Sequence, residues 1–261
     1  MHLYSHRYPA VQGARLNPPD ASIQDYRRLQ RRLGTGRAVI VTPSTYGTNN
    51  QCVLDGLAAM GDSGRGVAVL DPSVPEEHLH DLHAAGIRGV RLNQSLGTTT
   101  SIDMLEPLAE KIKGLGWHIQ LLMPPEMLVR IGPRLRALDI AVVFDHMGRV
   151  DPRTTAGSEA HTTLLNLIES GKAWLKLSGA YILSREGPPD YPDVAALARS
   201  YVKAAPDRCI WGSDWPHASA TAGMQALPDD AHLLDLLSAW IGDDATFRQV
   251  LVENPSTLYQ Y

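Results

Sequence analysis

Residues 38–70 read AVIVTPSTYGTNNQCVLDGLAAMGDSGRGVAVL, and this stretch sets the fold. Ala38-Val39-Ile40-Val41-Thr42 is mostly β-branched and stops at Pro43, which cannot donate to a sheet ladder, so it reads as a strand. From Asn50 through Leu57 to Met60 the apolar residues recur at helical spacing, and Gly61 ends the run. Gly66-Val67-Ala68-Val69-Leu70 is a second strand, closed by Asp71-Pro72. Strand, helix and strand within about 30 residues make a βαβ unit, whose crossover connection forces the two strands to be parallel.

The pattern repeats outward. Glu76 to Ala85 is helical, with Gly86 at its end. Strands follow at Ile87 to Leu92, Trp117 to Leu122, Ile140 to Phe144, Ala173 to Leu177 and Cys209 to Trp211. Helices separate them at Met104 to Leu115, Met127 to Leu138, Ser158 to Ser170 and Val194 to Ala204. Gly132-Pro133 predicts a break in the second of these, and Ser158 an N-cap for the third. One helix, Ile23 to Leu33, precedes the first strand, and two, Ala231 to Trp240 and Ala245 to Glu253, close the chain. The strands are nearly continuous apolar runs, as in a parallel sheet covered on both faces. An α/β chain of 261 residues with this alternation fits one (β/α)8 TIM barrel over residues 1–261. The count is one strand short, because only Met1-His2-Leu3-Tyr4 stands before the first helix. A doubly wound sheet is the alternative, but the Gly-rich phosphate turn it usually carries after its first strand is missing.

Composition narrows the partners. With 24 basic and 28 acidic residues the formal charge is −4, and no long basic run offers nucleic acid a footprint. The apolar share of 44% is that of a folded globular chain, not a disordered one. No run of about 18 apolar residues spans a membrane, and MHLYSHRYPA has no apolar signal-peptide core. Cys52 and Cys209 are too few for a disulfide framework or a Cys-rich zinc site, which fits a cytoplasmic setting. Oligomeric state is not legible.

In a TIM barrel the chemistry sits at the C-terminal ends of the strands. Those ends carry Thr42, Ser44 and Tyr46; Asp71; Arg91 and Asn93; Gln120; Asp145, His146 and Arg149; Lys176 and Ser178; and Asp214 and His217. Asp214, directly after an apolar strand, suits a general base toward water. An imidazole at His146 suits polarisation of a carbonyl. Arg91 suits bidentate capture of a carboxylate. Each has a structural alternative: a turn or cap for the aspartate, packing for the histidine, an ion pair for the arginine. Their shared place on one predicted face favours function. Asp145 either orients His146 or bonds a loop. His78, His80 and His83 belong to an outer helix, His118 to the core at the start of its strand, and Cys209 to packing.

Five segments carry a resemblance. Phe144-Asp145-His146-Met147-Gly148-Arg149, Gly212-Ser213-Asp214-Trp215-Pro216-His217, Asn254-Pro255-Ser256-Thr257-Leu258-Tyr259, Gly89-Val90-Arg91 and Pro43 through Asn50 occur in place and order along the whole chain. Together they resemble the amidohydrolase superfamily, in the branch of 2-pyrone-4,6-dicarboxylate lactonase and a galactarolactone isomerase. The resemblance implies a distorted (β/α)8 barrel acting on a small carboxylate-bearing lactone. Asp214 would activate water, His146 and His2 would polarise the carbonyl, and Ser44, Arg91 and Arg149 would hold the acidic end. Tyr46, Asn93, Gln120, Ser178 and His217, with Thr42 and Tyr181, would line the pocket.

Two departures from that family matter. Its first strand ends in Asp-x-His-x-His, of which only the last residue stands here, as His2 after Met1. The chain therefore starts mid-motif or from a start site placed too late, and part of the barrel seam is expected to be unpaired and open to association. The loop Gln94 to Thr100 supplies no arginine, which points away from a pyrone dicarboxylate toward a less acidic lactone. No metal is expected, since the type member works without one and Arg91 is awkward beside a dication. The zinc alternative would draw on His2, His146 and Asp214. The remaining alternatives are a sugar-acid lactone isomerase, a zinc-dependent amidohydrolase or decarboxylase, and an inactive barrel.

Overall fold

The computed structural model describes residues 1–95, 99–154 and 157–261. Residues 96–98 of the arginine-free loop after Arg91 lie outside them. Among the described residues seven strands form one parallel sheet in strict chain order: β1 (Ala38–Val41), β2 (Gly64–Ala68), β3 (Ile87–Asn93), β4 (His118–Leu122), β5 (Val142–Phe144), β6 (Ala173–Leu177) and β7 (Cys209–Trp211). All seven fall where the apolar runs placed them. A doubly wound sheet would reverse strand order at a switch point, so sequential order makes this a singly wound, barrel-type sheet.

The helices are α1 (Ile23–Leu33), α2 (Gln51–Met60), α3 (Glu76–Ala84), α4 (Leu105–Ile112), α5 (Pro125–Ala137), α6 (Glu159–Glu169), α7 (Ala180–Leu183), α8 (Pro192–Ala204), α9 (Ala218–Thr221), α10 (Asp230–Ile241), α11 (Asp244–Arg248) and α12 (Asn254–Tyr259). Ser158 caps α6 by accepting from the His161 amide. The break predicted at Gly132-Pro133 does not occur, and α5 runs through both residues. Its packing explains this: a Cβ on Gly132 would stand 3.0 Å from Thr163 Cγ2 of α6, so glycine admits a close helix contact that holds α5 across the proline.

Strand register sorts the side chains. Arg91 pairs with Gln120, Gln120 with Val143, and Val143 with Trp174, so these project to one face. The same face carries a small buried cluster, Val41, Val67, Val143, Trp174 and Ile210, joined by Leu258 and Tyr259 of α12. It fills the inside of the barrel, and the larger cluster packs the opposite face against the helices. His118 lies edge-on to Tyr259, their ring centroids 5.3 Å apart, near the N-terminal end of β4.

The seam expected to be unpaired is bridged at one end. Met1 donates its amino group to Val39 O (3.1 Å) and accepts from the Val41 amide (2.9 Å), while the His2 amide donates to Trp215 O (2.8 Å). Two residues thus join β1 to the segment after β7. Beyond them the chain pairs with itself, Tyr4 exchanging two backbone bonds with Ala21. A cavity of about 530 Å³ follows the seam from His146 and Asp214 along β1 to Ala38 and Tyr261.

Candidate active site

Two turns position the chemistry. After β5 the chain passes through His146, Met147, Gly148 and Arg149, all with φ between 49° and 65°. After β7, Asp214 has φ 59°. Left-handed backbone at a non-glycine residue costs on the order of 1–3 kcal/mol and persists only where the surroundings impose it, commonly at functional sites. His146 is seated by a third turn, because Gly179 (φ 71°) leaves room for the ring that a Cβ, 2.6 Å from Nδ1, would fill.

At the centre is one carboxylate with two unlike oxygens. Asp214 Oδ2 accepts from the Tyr181 hydroxyl at 2.6 Å. Asp214 Oδ1 faces His2 Nε2 at 3.9 Å and His146 Nε2 at 3.8 Å. The rear nitrogens of both rings are engaged: His2 Nδ1 lies 2.8 Å from Val41 O, and His146 Nδ1 lies 3.0 Å from Ser178 Oγ. Burial opposes ionisation of Asp214, but His146, His2 and the Tyr181 hydrogen bond outweigh it, so the carboxyl sits below its usual range. Burial and nearby Arg91 bring His2 down to about 3, so this ring is neutral at pH 7. Burial, the Asp214 charge and the bond to it raise the Tyr181 phenol far above its usual range.

A second group stands beside it. Asp145 accepts two bonds from Gln120 Nε2, both 3.0 Å, and pairs with Lys176 Nζ at 3.0 Å and Arg91 Nε at 3.5 Å. Burial works against its charge, yet Lys176 and Arg91 hold the carboxyl well below the carboxylate range. Of the two readings left open for Asp145, neither an orienting bond to His146 nor a loop bond dominates; it gathers the cations of neighbouring strands. Arg91 Nη1 reaches Thr42 O only at 3.5 Å, and its guanidinium lines the cavity.

His2, Arg91, Gln120, His146, Ser178 and Asp214 all border that cavity. Other candidate positions stand elsewhere. Tyr46 accepts from the Ser5 amide at 2.8 Å, tying the N-terminal segment to the turn after β1, and Ser44 begins that turn half-buried. Asn93 Oδ1 accepts from the Ser95 amide, shaping its own loop. Thr42 Oγ1 bonds Asn50. Arg149 is half-buried beyond the cavity's lining. His217 sits behind the site, with Nε2 3.0 Å from Asp230 Oδ1 and its ring edge-on to Tyr181. Lys176 joins the site without a role read from the sequence; its signal there is a charge inside the apolar run Ala173-Trp174-Leu175-Lys176-Leu177. The pairing of Tyr181 with Asp214, 33 residues apart, leaves no local trace.

The zinc alternative meets a poor donor set. Among the described residues no group of three or more His, Cys, Asp or Glu stands close enough to hold a metal ion. Lys176 and Arg91 border the same cavity, and Asp214 Oδ2 is committed to Tyr181. Two cations beside His2, His146 and Asp214, and a carboxylate oxygen already bonded, do not fit a zinc site.

Comparison with known proteins places the chain. The amidohydrolase family model matches residues 1–260. The chain is 34% identical over 262 residues to a D-galactarolactone isomerase of Agrobacterium fabrum, covering 100% of this chain and 89% of that protein. It is also 34% identical to a 2-pyrone-4,6-dicarboxylate hydrolase of Comamonas testosteroni, covering 97% and 85%. A crystal structure of a probable 2-pyrone-4,6-dicarboxylic acid hydrolase from Acinetobacter baumannii, with citric acid bound, superposes with a TM-score of 0.84 at 28% identity, covering 100% and 97%. The chain belongs to the amidohydrolase family. Among the described residues no helix is long and apolar enough to cross a membrane.

Proposed function

We propose that this protein is a metal-independent lactonase that opens the ring of a small carboxylate-bearing lactone. The observation that carries this reading is the convergence of His2 and His146, each within 3.9 Å of one oxygen of Asp214, at a cavity bordered by Arg91. Asp214, ionised at neutral pH, takes a proton from water. The water oxygen adds to the lactone carbonyl, and His146 receives the developing oxyanion. Asp214 then returns its proton to the ring oxygen as the C–O bond breaks. Arg91, whose guanidinium lines the cavity, holds the substrate carboxylate. The relatives acting on lactones support the substrate class. A panel of sugar-acid and pyrone lactones, followed by acid release, tests the reading. Turnover that survives Asp214→Asn unchanged would sink it.

A second reading is favoured by one relative, the isomerase at 34% identity. There a hydroxyl of the substrate replaces water and the ring reforms elsewhere. Product analysis separates the two: a free acid for hydrolysis, a shifted lactone for isomerisation.

A further inference from the structure

The two imidazoles at Asp214 look alike by distance and differ by their rear partners. Val41 O can only accept, so His2 Nδ1, 2.8 Å away, must carry the ring proton. In the neutral ring Nε2 is then a bare lone pair aimed toward Asp214 Oδ1. Such a nitrogen cannot donate to an oxyanion. His146 differs, since Ser178 Oγ can donate to its Nδ1 and leave the proton on Nε2. The gap between His2 Nε2 and Asp214 Oδ1 is 3.9 Å, too long for a direct hydrogen bond and suited to one bridging oxygen.

We propose that His2 is the second acceptor for the attacking water, not a donor to the carbonyl, and that His146 alone supplies the oxyanion contact. This deepens the lactonase reading and rests on it. One water proton passes to Asp214 Oδ1, and the other is held by His2 Nε2. The oxygen lone pair attacks the carbonyl carbon, and the carbonyl π pair moves onto oxygen against His146 Nε2–H. Collapse expels the ring oxygen, which takes the proton from Asp214. A water molecule satisfies both acceptors with its two protons. A substrate hydroxyl has one proton and leaves His2 unsatisfied, so the pair as built suits hydrolysis better than isomerisation. The low basicity of the buried His2 ring agrees, since burial and Arg91 keep it neutral.

Two measurements test this on the full chain. Long-range ¹H–¹⁵N spectra of ¹⁵N-histidine protein should show His2 protonated on Nδ1 and bare on Nε2, assigned by its loss in His2→Asn. A proton on Nε2 overturns the proposal. In kinetics, His2→Asn keeps a donor for Val41 O and removes the acceptor. Hydrolysis should fall about 10²-fold in kcat, with KM and the Kd of a five-membered lactam carboxylate within about threefold, while His146→Asn weakens the lactam about tenfold. Equal weakening by both variants overturns it. Failure of the lactonase reading itself shows separately, as a wild type inert to every lactone or an Asp214→Asn variant that keeps its rate, and the His2 spectrum decides the tautomer in either case.

Discussion

Asp145 and Asp214 both follow barrel strands, and both are buried, yet they live in opposite conditions. The Asp145 carboxylate has four close contacts from three partners: two bonds from Gln120, one from Lys176 and an ion pair with Arg91. Among the described residues the Asp214 carboxylate has one direct bond, from Tyr181, and an oxygen that faces two rings across almost 4 Å. A carboxylate whose lone pairs are filled is an anchor, because any new bond must displace an old one. A carboxylate with one oxygen pinned and the other open can take a proton. The contrast teaches that two buried carboxylates on one barrel rim differ in how many of their lone pairs are already filled.

The sharpest way to break the contrast is Asp214→Asn. It should lower kcat for lactone hydrolysis by about 10²–10⁴-fold, with little change in folding, measured by acid release and thermal melting. Asp145→Asn should do the reverse in kind. It leaves Lys176 and Arg91 buried without their shared anion and should cost about 3–5 kcal/mol of stability in urea titrations. If Asp145→Asn folds as well as wild type, the anchor role is wrong.

Smaller changes sharpen the comparison. Arg91→Gln should raise KM for a carboxylate-bearing lactone about tenfold, with a smaller effect on a lactone ester lacking the acid. Tyr181→Phe should cost a few-fold in kcat and move the acid limb of the pH–rate profile upward. The sign follows from the bond: Tyr181 donates to the charged carboxylate, which helps hold the Asp214 pKa below the ordinary carboxylate range, so its loss lets that pKa rise.

A last effect concerns the molecule as a whole. Folded His2 and His118 are brought down to about 3, mainly by burial, against 6.5 when unfolded. The unfolded chain therefore protonates first. Their contribution is intact above pH 6.5 and is lost as pH falls from there toward 3, by about 1.4 kcal/mol per histidine per pH unit. Urea midpoints at pH 7 and pH 5.5 measure it, and His118→Asn should flatten the difference.

Much of this molecule was readable from its residues. The seven strands appeared as apolar runs because burial on both sheet faces is written locally, residue after residue. Gly132-Pro133 signals a break that α5 does not have, because Pro133 acts locally while α6, brought close at Gly132, does not. Strand-end polarity pointed to His146 and Asp214, since a parallel barrel gathers those ends on one rim.

Sequence by itself determined the order of strands and helices, the barrel class and the residue types at the rim, because periodicity and turn chemistry act over a few neighbours. Tertiary structure alone decided that Met1 and His2 bridge the seam, that Lys176 and Arg91 spend charge on Asp145, and that Tyr181 pins one oxygen of Asp214. Those choices join groups from separate strands, and a hydrogen bond depends on distance in space, which spacing along the chain does not encode.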